Sequence, residues 1–580
     1  MKQMTNFESP NPAHRNSLQP LRVHLHTTQL FGPSDPFLLK VLDAAVWYAA
    51  KSTHRIDFDI FFHPTRNPLN IVGFALSLKS KILSIAKINL YSLGGLLSLN
   101  LSKKIDPKQK EFRENSNNSD IIEGCFKISG LAIRLKRFQH PLYHSLRAWA
   151  FSHRKGLQLF ISCFGARGFE GKKLLKLNYA EICIGDLVAS STFRLRPYGG
   201  GSLSRSKLAV LEQLIDAVAI IEYIKKNVPQ FTSVKDQIKH LVLVREPTYL
   251  DAIYTRKLAK LDLDVVEWYP YDAIYRKTQG QHYRPFEERM VKLTGQSGSA
   301  GSIAKAQQYL RERTEDPSLQ LSYLKKAANI SKVLEDENGV VIEADGPRVN
   351  VGIFLHSFND AQYVYGPDGF SDLYEWAVFT VETLLSNPVV DKVIIKPHPN
   401  VDYRNYPGDK IAIQKLRQAY PTSSKLKWAS VNSSPVAFNR SGQMIGVTHH
   451  GSMAEELVFL KVPVIASIYA PWSRNYQFLK TWVSPSEYKE LLLGDLRAFR
   501  VSDEELDNLF AYVTEARLKT AITMEERYPW YSYLKMKSMD TKGSFFEVMS
   551  LARKELDENG LDENLLQFLE LQHQKYCAND

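Results

Sequence analysis

The chain of 580 residues is poor in cysteine and has no long hydrophobic run. Its 4 cysteines (Cys125, Cys163, Cys183 and Cys577) are widely scattered, with no CxxC pair and no zinc spacing. That scatter excludes a disulfide framework and fits a reducing compartment. No stretch approaches the roughly 18–20 apolar residues that span a bilayer. The best candidate, residues 88–102, is too short and is interrupted by Asn89, Gly94, Gly95 and Asn100. Residues 1–36 are polar and proline-bearing, without the apolar core of a secretion signal. They read as a flexible leader, and the protein as cytoplasmic. Zinc-finger spacing, an RNP-like aromatic strand and a long basic run are also missing, which argues against a nucleic-acid partner.

What is present describes an ordinary globular chain. Hydrophobic residues make up 44% and charged residues 23%, enough to build cores, and the length calls for two large domains. The net charge of +12 favours anionic partners: a membrane surface or a phosphorylated ligand. In residues 70–104, Ile71, Phe74, Leu78, Ile82 and Ile85 recur at helical spacing among Lys79, Lys81, Lys87, Lys103 and Lys104. Such a segment suits the inner face of an anionic membrane, or a helix packed on its own domain with solvated lysines.

Strand-like and helical stretches alternate along most of the chain, which predicts an α/β fold with parallel sheets covered on both faces. Strands are expected at 57–62, 157–163, 180–184 and 241–244, and an amphipathic helix at 209–226. The Gly/Ser stretch 295–302 reads as a mobile loop, followed by helix at 304–334. The polar step Asp345-Gly346-Pro347 is the expected domain boundary. This divides the chain into a leader (1–36), an N-terminal domain (37–344), a C-terminal domain (345–530) and a helical extension (531–580). Two Rossmann-like domains facing across a cleft constitute the GT-B architecture.

The most informative stretch is 392–467. A strand, Val393-Ile394-Ile395, runs into Lys396-Pro397-His398-Pro399, where the prolines stiffen the loop that carries the imidazole. A second strand at 443–448 ends in His449-His450-Gly451-Ser452, and a helix follows. Gly451 permits close backbone approach, and Ser452 opens a helix whose free N–H groups favour an anion. Open α/β sheets place ligands at these C-terminal strand ends. Ser452-Met453-Ala454-Glu455 also matches a capping box, so cap chemistry alone can account for Ser452 and Glu455. His449-His450 has no third ligand at helical spacing, and no metal is expected. Asp57-Phe58-Asp59 and Asp262-Leu263-Asp264 match a metal-binding DxD formally, but both lie in alternating stretches that read as strands with acids on the wet face.

Four stretches resemble bacterial surface-polysaccharide biosynthesis proteins of GT-B fold, the group with capsule and Kdo-transferase-like enzymes. His356-Ser357-Phe358-Asn359-Asp360 with Asp372-Leu373-Tyr374-Glu375-Trp376 is similar to the entry to their donor domain. Lys396-Pro397-His398-Pro399 resembles the HP motif shared with sialyl- and glycerophosphotransferases. Gly451-Ser452-Met453-Ala454-Glu455 resembles the phosphate and ribose loop, with Glu456 an alternative for its acid. Ile184-Gly185-Asp186-Leu187 with Phe193-Arg194-Leu195-Arg196 resembles an acceptor-side stretch, but Ala189-Ser190-Ser191 stands where a second acid belongs. The likeness spans most of residues 150–490.

The resemblance implies metal-independent sugar transfer from a nucleotide-sugar co-substrate, with CMP and UDP among the candidate nucleotides, to a glycan or lipid-linked acceptor. His356, Lys396, His398, Gly451, Ser452 and Glu455 would bind the donor. Asp186, or failing that Glu246, would serve as general base. Two other readings stay open: a glycerol-phosphate-type phosphotransferase, and a non-catalytic glycan-binding assembly protein.

Overall fold

A computed structural model describes residues 21–29, 49, 56–64, 122–128, 131–137, 146–259, 264–269, 272–275, 300–315, 333–342 and 348–518. Short breaks fall at 196–198, 233–237, 245–248, 251, 361, 364, 400, 402–406, 422, 432, 441–442 and 473–475. The segment 70–104, Glu246, Asp262, residues 295–299, the boundary step 345–347 and the C-terminal extension lie outside the described residues.

The N-terminal strands are β1 (Leu21–Gln29), β2 (Ile56–Pro64), β3 (Ile122–Ile128) and β4 (Leu131–Arg137). Next come α1 (Leu146–Ser162), the hairpin β5 (Phe164–Gly165) and β6 (Gly168–Phe169), and α2 (Gly171–Leu175). A second hairpin, β7 (Asn178–Tyr179) and β8 (Ile182–Cys183), leads to α3 (Gly185–Leu195) and α4 (Lys207–Thr232). Then follow β9 (Ile238–Val244), α5 (Ala252–Ala259), β10 (Asp264–Tyr269), β11 (Asp272–Tyr275) and α6 (Ala300–Glu315). The seven-stranded sheet has the order β11-β10-β9-β1-β2-β4-β3. Its interior pairs are parallel and only the edge strands β11 and β3 run antiparallel.

Four expectations are corrected here. The leader is not wholly irregular: Leu21, Val23 and Leu25 alternate with Arg22, His24 and His26, and this period of two forms a central strand with Val23 fully buried. Residues 157–163 are not a strand but the end of α1, whose Gly156 lets it cross α4 closely; a Cβ there would stand 2.7 Å from Ile215 Cγ1. Residues 180–184 hold only the second arm of a hairpin, turned by Ala180 and Glu181 at φ 50 and φ 70, the positive values a two-residue hairpin loop requires. The strand at 57–62 is present, but Asp59 is buried instead of wet.

The second sheet is entirely parallel. Its strands are β12 (Val349–Phe354), β13 (Val390–Lys396), β14 (Leu426–Trp428), β15 (Met444–Thr448), β16 (Val464–Ser467) and β17 (Lys480–Trp482). The order is β14-β13-β12-β15-β16-β17, which counted from β12 is 3-2-1-4-5-6, the doubly wound Rossmann order. Helices α7 (Leu373–Ser386), α8 (Pro407–Ala419) and α11 (Pro485–Leu493) pack through Trp376, Leu416 and Tyr488 on the face made by Val351, Ile353 and Ile395. On the other face α9 (Pro435–Arg440), α10 (Met453–Phe459) and α12 (Asp503–Val513) pack through Phe438, Leu457 and Phe510 on Phe354 and Ile394. Helices on both faces explain why β12 and β15 are buried along their whole length.

α6 joins this second core through Ala306 and Leu310. α6 precedes the expected boundary at 345–347, and its apolar face packs against α10 and α12. Among the described residues, no helix is long and apolar enough to cross a membrane.

Candidate functional site

In a 3-2-1-4-5-6 sheet, the chain leaves β12 and β15 in opposite directions and a crevice opens beyond their C-terminal ends. Four histidines gather there. His356 follows β12, His398 follows β13, and His449 and His450 follow β15. The His356 and His450 rings lie 4.0 Å apart, and the His356 and His398 rings 5.9 Å apart. Gly451 belongs to the same crowd: a Cβ there would press on Thr448 Oγ1 at 2.9 Å and reach His356 at 3.9 Å. The expected donor-side residues His356, His398 and Gly451 are thus brought together.

The cluster is electrically quiet. Burial holds the His356 imidazole below its ordinary pKa, with Asp360 and the Ser357 carbonyl opposing. Burial, with His356 and His449 beside it, holds His450 far below. His449 Nε2 bonds Asp368 Oδ2, and His449 Nδ1 lies 2.6 Å from His450 Nδ1. The rings of Trp376 and Trp482 stand nearly perpendicular to the His449 ring, with centroids 5.5 Å and 5.9 Å away. The loop that carries His356 is anchored from α8: Asp409 accepts from the Phe358 N–H at 2.7 Å and the Ser357 hydroxyl at 2.9 Å.

Lys396 closes β13 and is 3% exposed. Its ammonium donates to the Val431 carbonyl at 3.1 Å, and no carboxylate among the described residues comes within ion-pair distance. Burial pushes its pKa down to about 8, with Glu456 opposing. A buried cation with so little compensation carries a desolvation cost that an anion within reach would offset.

Ser452 and the two glutamates do something the local pattern did not announce. Ser452 has helical dihedrals and makes no side-chain cap, so the capping box expected from Ser452 to Glu455 does not form. Arg313 of α6 donates instead to Ser452 Oγ at 3.0 Å and to Glu456 Oε1 at 2.7 Å. Arg517 takes Glu455, with Nη2 to Oε1 at 2.5 Å and Nε to Oε2 at 3.2 Å. Glu455, expected to touch the ligand, is fully buried in this pair.

Asp186, expected as the base, begins α3. Arg256 of α5 grips both its oxygens, at 2.7 Å and 2.5 Å, and also donates to the Cys183 carbonyl at 2.6 Å. With both oxygens engaged by a guanidinium, this carboxylate holds α3 and α5 together. The α3–α5 unit is fastened to the second sheet: Asp372 Oδ2 accepts from the Leu203 N–H at 2.9 Å while Oδ1 caps α7 through the Glu375 N–H at 2.8 Å. Arg205 stacks 4.1 Å over the Tyr374 ring.

Sequence reasoning missed Asp368, Arg313, Arg256 and Arg517. Asp368 carried a weak signal, lying in the turn Gly366-Pro367-Asp368-Gly369 between His356-Ser357-Phe358-Asn359-Asp360 and Asp372-Leu373-Tyr374-Glu375-Trp376. The three arginines carried none, since their partners are 62 to 143 residues away.

No protein-family model matches the chain, and no curated protein matches its sequence. Among solved structures, the α,α-trehalose-phosphate synthase (UDP-forming) of Burkholderia vietnamiensis is similar at 8% identity and TM-score 0.32, over 91% of this chain and 100% of that one. The trehalose 6-phosphate synthase of Burkholderia multivorans gives 9% identity and TM-score 0.29, over 97% and 98%. The UDP-GlcNAc 2-epimerase of Methanocaldococcus jannaschii, in complex with UDP-GlcNAc and UDP, gives 12% identity and TM-score 0.24, over 52% and 80%. At overlaps this low the likeness carries no argument, and the reading of this protein rests on its own site.

Proposed function

We propose that the protein is a nucleotide-sugar-dependent glycosyltransferase of GT-B type that builds a surface polysaccharide or a lipid-linked glycan. The observation that carries this reading is the crevice itself. Three strand ends of a Rossmann-ordered sheet converge on His356, His398 and His450, with Lys396 buried beside a carbonyl and, among the described residues, no carboxylate at ion-pair distance. The Lys396 ammonium, with the His398 imidazole just beyond the end of the same strand, suits a phosphate: both can donate hydrogen bonds to a leaving diphosphate. The sugar and acceptor would approach from the side of the α3–α5 unit, which Asp372 and Arg205 hold against the donor sheet.

The test is a thermal-shift screen of the full chain with UDP, CMP, GDP and CDP. A ligand at 100 times its Kd stabilises the native state by about 2.7 kcal/mol, a readily measured shift. We expect one nucleotide to stand out and His398→Ala to abolish its effect. No shift with any nucleotide would remove the reading.

One observation favours a second reading, a non-catalytic nucleotide- or glycan-binding assembly protein: Asp186 is consumed by Arg256. A protein that binds a nucleotide sugar but never turns it over, even with cell-surface glycan fractions as acceptor, would be of that kind. Docking of residues 70–104 on an anionic membrane belongs to the same proposal, and flotation with anionic and neutral liposomes tests it.

A further inference from the structure

His449 and His450 present their Nδ1 atoms to each other at 2.6 Å, and two lone pairs cannot face each other at that distance. One of them carries the proton. His449 Nε2 bonds Asp368, which as a carboxylate only accepts, so His449 is protonated at Nε2. When His449 is neutral its Nδ1 is bare and His450 donates the Nδ1–H; when His449 is the imidazolium it donates that proton instead, and the two states differ by one proton. In the first state Nε2 of His450, across the ring from His449, is left with a lone pair beside His356.

We propose that Asp368, His449 and His450 form a proton relay in which His450 Nε2 is the atom that takes up and returns the proton of the reaction. The steps balance. A proton arriving at His450 Nε2 sends the Nδ1 proton across to His449 Nδ1. His449 becomes an imidazolium between Asp368 and His450, and His450 ends neutral, protonated at Nε2. The relay gains one proton and its charge goes from −1 to 0. Reversal returns the proton to a leaving group or to water. His450 is the catalytic residue; His449 and Asp368 are positioning residues.

The surroundings support a single shared proton. His450 faces His356 and, at 6.1 Å, the Tyr365 ring; His356 faces His398 and feels Asp360. The charge of Asp368 is felt by the phenols of Tyr363 and Tyr488, which stay protonated because burial raises them. Asp368 is thus the carboxylate bonded to the histidine pair, and a second imidazolium would lack a counter-charge. The role in sugar transfer rests on the function proposed above; the sharing of the proton does not.

The test is ¹⁵N NMR of the ligand-free full chain labelled at histidine, with His449→Gln and His450→Gln supplying assignments. We expect His449 protonated at Nε2, His450 at Nδ1, and the two titrating together with uptake of one proton. Asp368→Asn should turn His449 to the other tautomer and lower the shared titration by a pH unit or more. In turnover, the acid limb of the pH profile should move with that titration, while KM for the donor changes less than kcat. Two histidines that titrate independently, or a His450 resonance unmoved by Asp368→Asn in a folded variant, would overturn the relay. If the pair titrates as one but no nucleotide binds, the relay stands and the nucleotide reading falls.

Discussion

Arg313 Nη2 donates to Ser452 Oγ at 3.0 Å across 139 residues of chain, and the same guanidinium holds the buried Glu456. A helix that lies before the expected domain boundary thereby completes the loop where the phosphate was expected. Removing it should be costly. Arg313→Ala leaves Glu456 buried without its guanidinium, and we expect a loss of about 3–5 kcal/mol in urea unfolding. Glu456→Gln added to the same chain should recover most of it. If the single variant is as stable as the wild type, the pair is not holding α6 in place.

Lys396 gives a pH signature. Its folded pKa is about 8 against an ordinary 10.5, so between those values the native state binds fewer protons than the unfolded state and stability rises with pH. Below pH 8 the burial cost is fully present, about 3 kcal/mol at about 1.4 kcal/mol per pKa unit. Lys396→Met should therefore raise the Tm at pH 7, flatten the rise between pH 8 and 10.5, and weaken nucleotide binding. A variant that melts lower and still binds would contradict both roles.

Asp372 works in the opposite window. Burial pushes its pKa from 3.8 up to about 6 despite two backbone N–H donors. Between those values the native state binds more protons than the unfolded state, so its contribution to stability falls as pH rises. The difference between wild type and Asp372→Ala should depend on pH across that interval and level off above it. The variant also loses a helix cap, which costs about 1 kcal/mol at any pH. A difference that does not change between pH 4 and 7 would show that the carboxyl is not held neutral by burial.

The Asp186–Arg256 pair separates structure from catalysis. Asp186→Asn breaks a buried ion pair and should lower stability by about 3–5 kcal/mol. The double variant Asp186→Leu, Arg256→Met should regain most of that, because an apolar pair of similar volume is often neutral. We expect the double variant to keep nucleotide binding and turnover. Loss of turnover in a stable double variant would return Asp186 to the role of base.

Part of the second sheet was legible in the sequence, because β13 and β15 are short apolar runs that end in polar loops. The segment 443–448 and the loop Lys396-Pro397-His398-Pro399 could be placed at strand ends from local pattern alone. In the N-terminal half, 157–163 was misread because a short apolar run fits a strand or a buried helix equally well. There only the packing of Gly156 against Ile215 decides.

The pattern Ser-x-x-Glu shows where local information stops. At Ser502 and Glu505 it forms a complete capping box, with both reciprocal bonds present. At Ser452 and Glu455 the same letters form none, because Arg313 and Arg517 arrive from distant segments and take both side chains. On an exposed helix end the nearest partner is the backbone. In a buried one a carboxylate requires a full counter-charge, and a guanidinium outbids a backbone N–H. By itself the sequence determined the periodicities, the stiff histidine loop and the alternation that makes an α/β protein. Tertiary structure alone decided which charges meet, since burial sets how strongly each must be paired and the fold sets which partner is within reach.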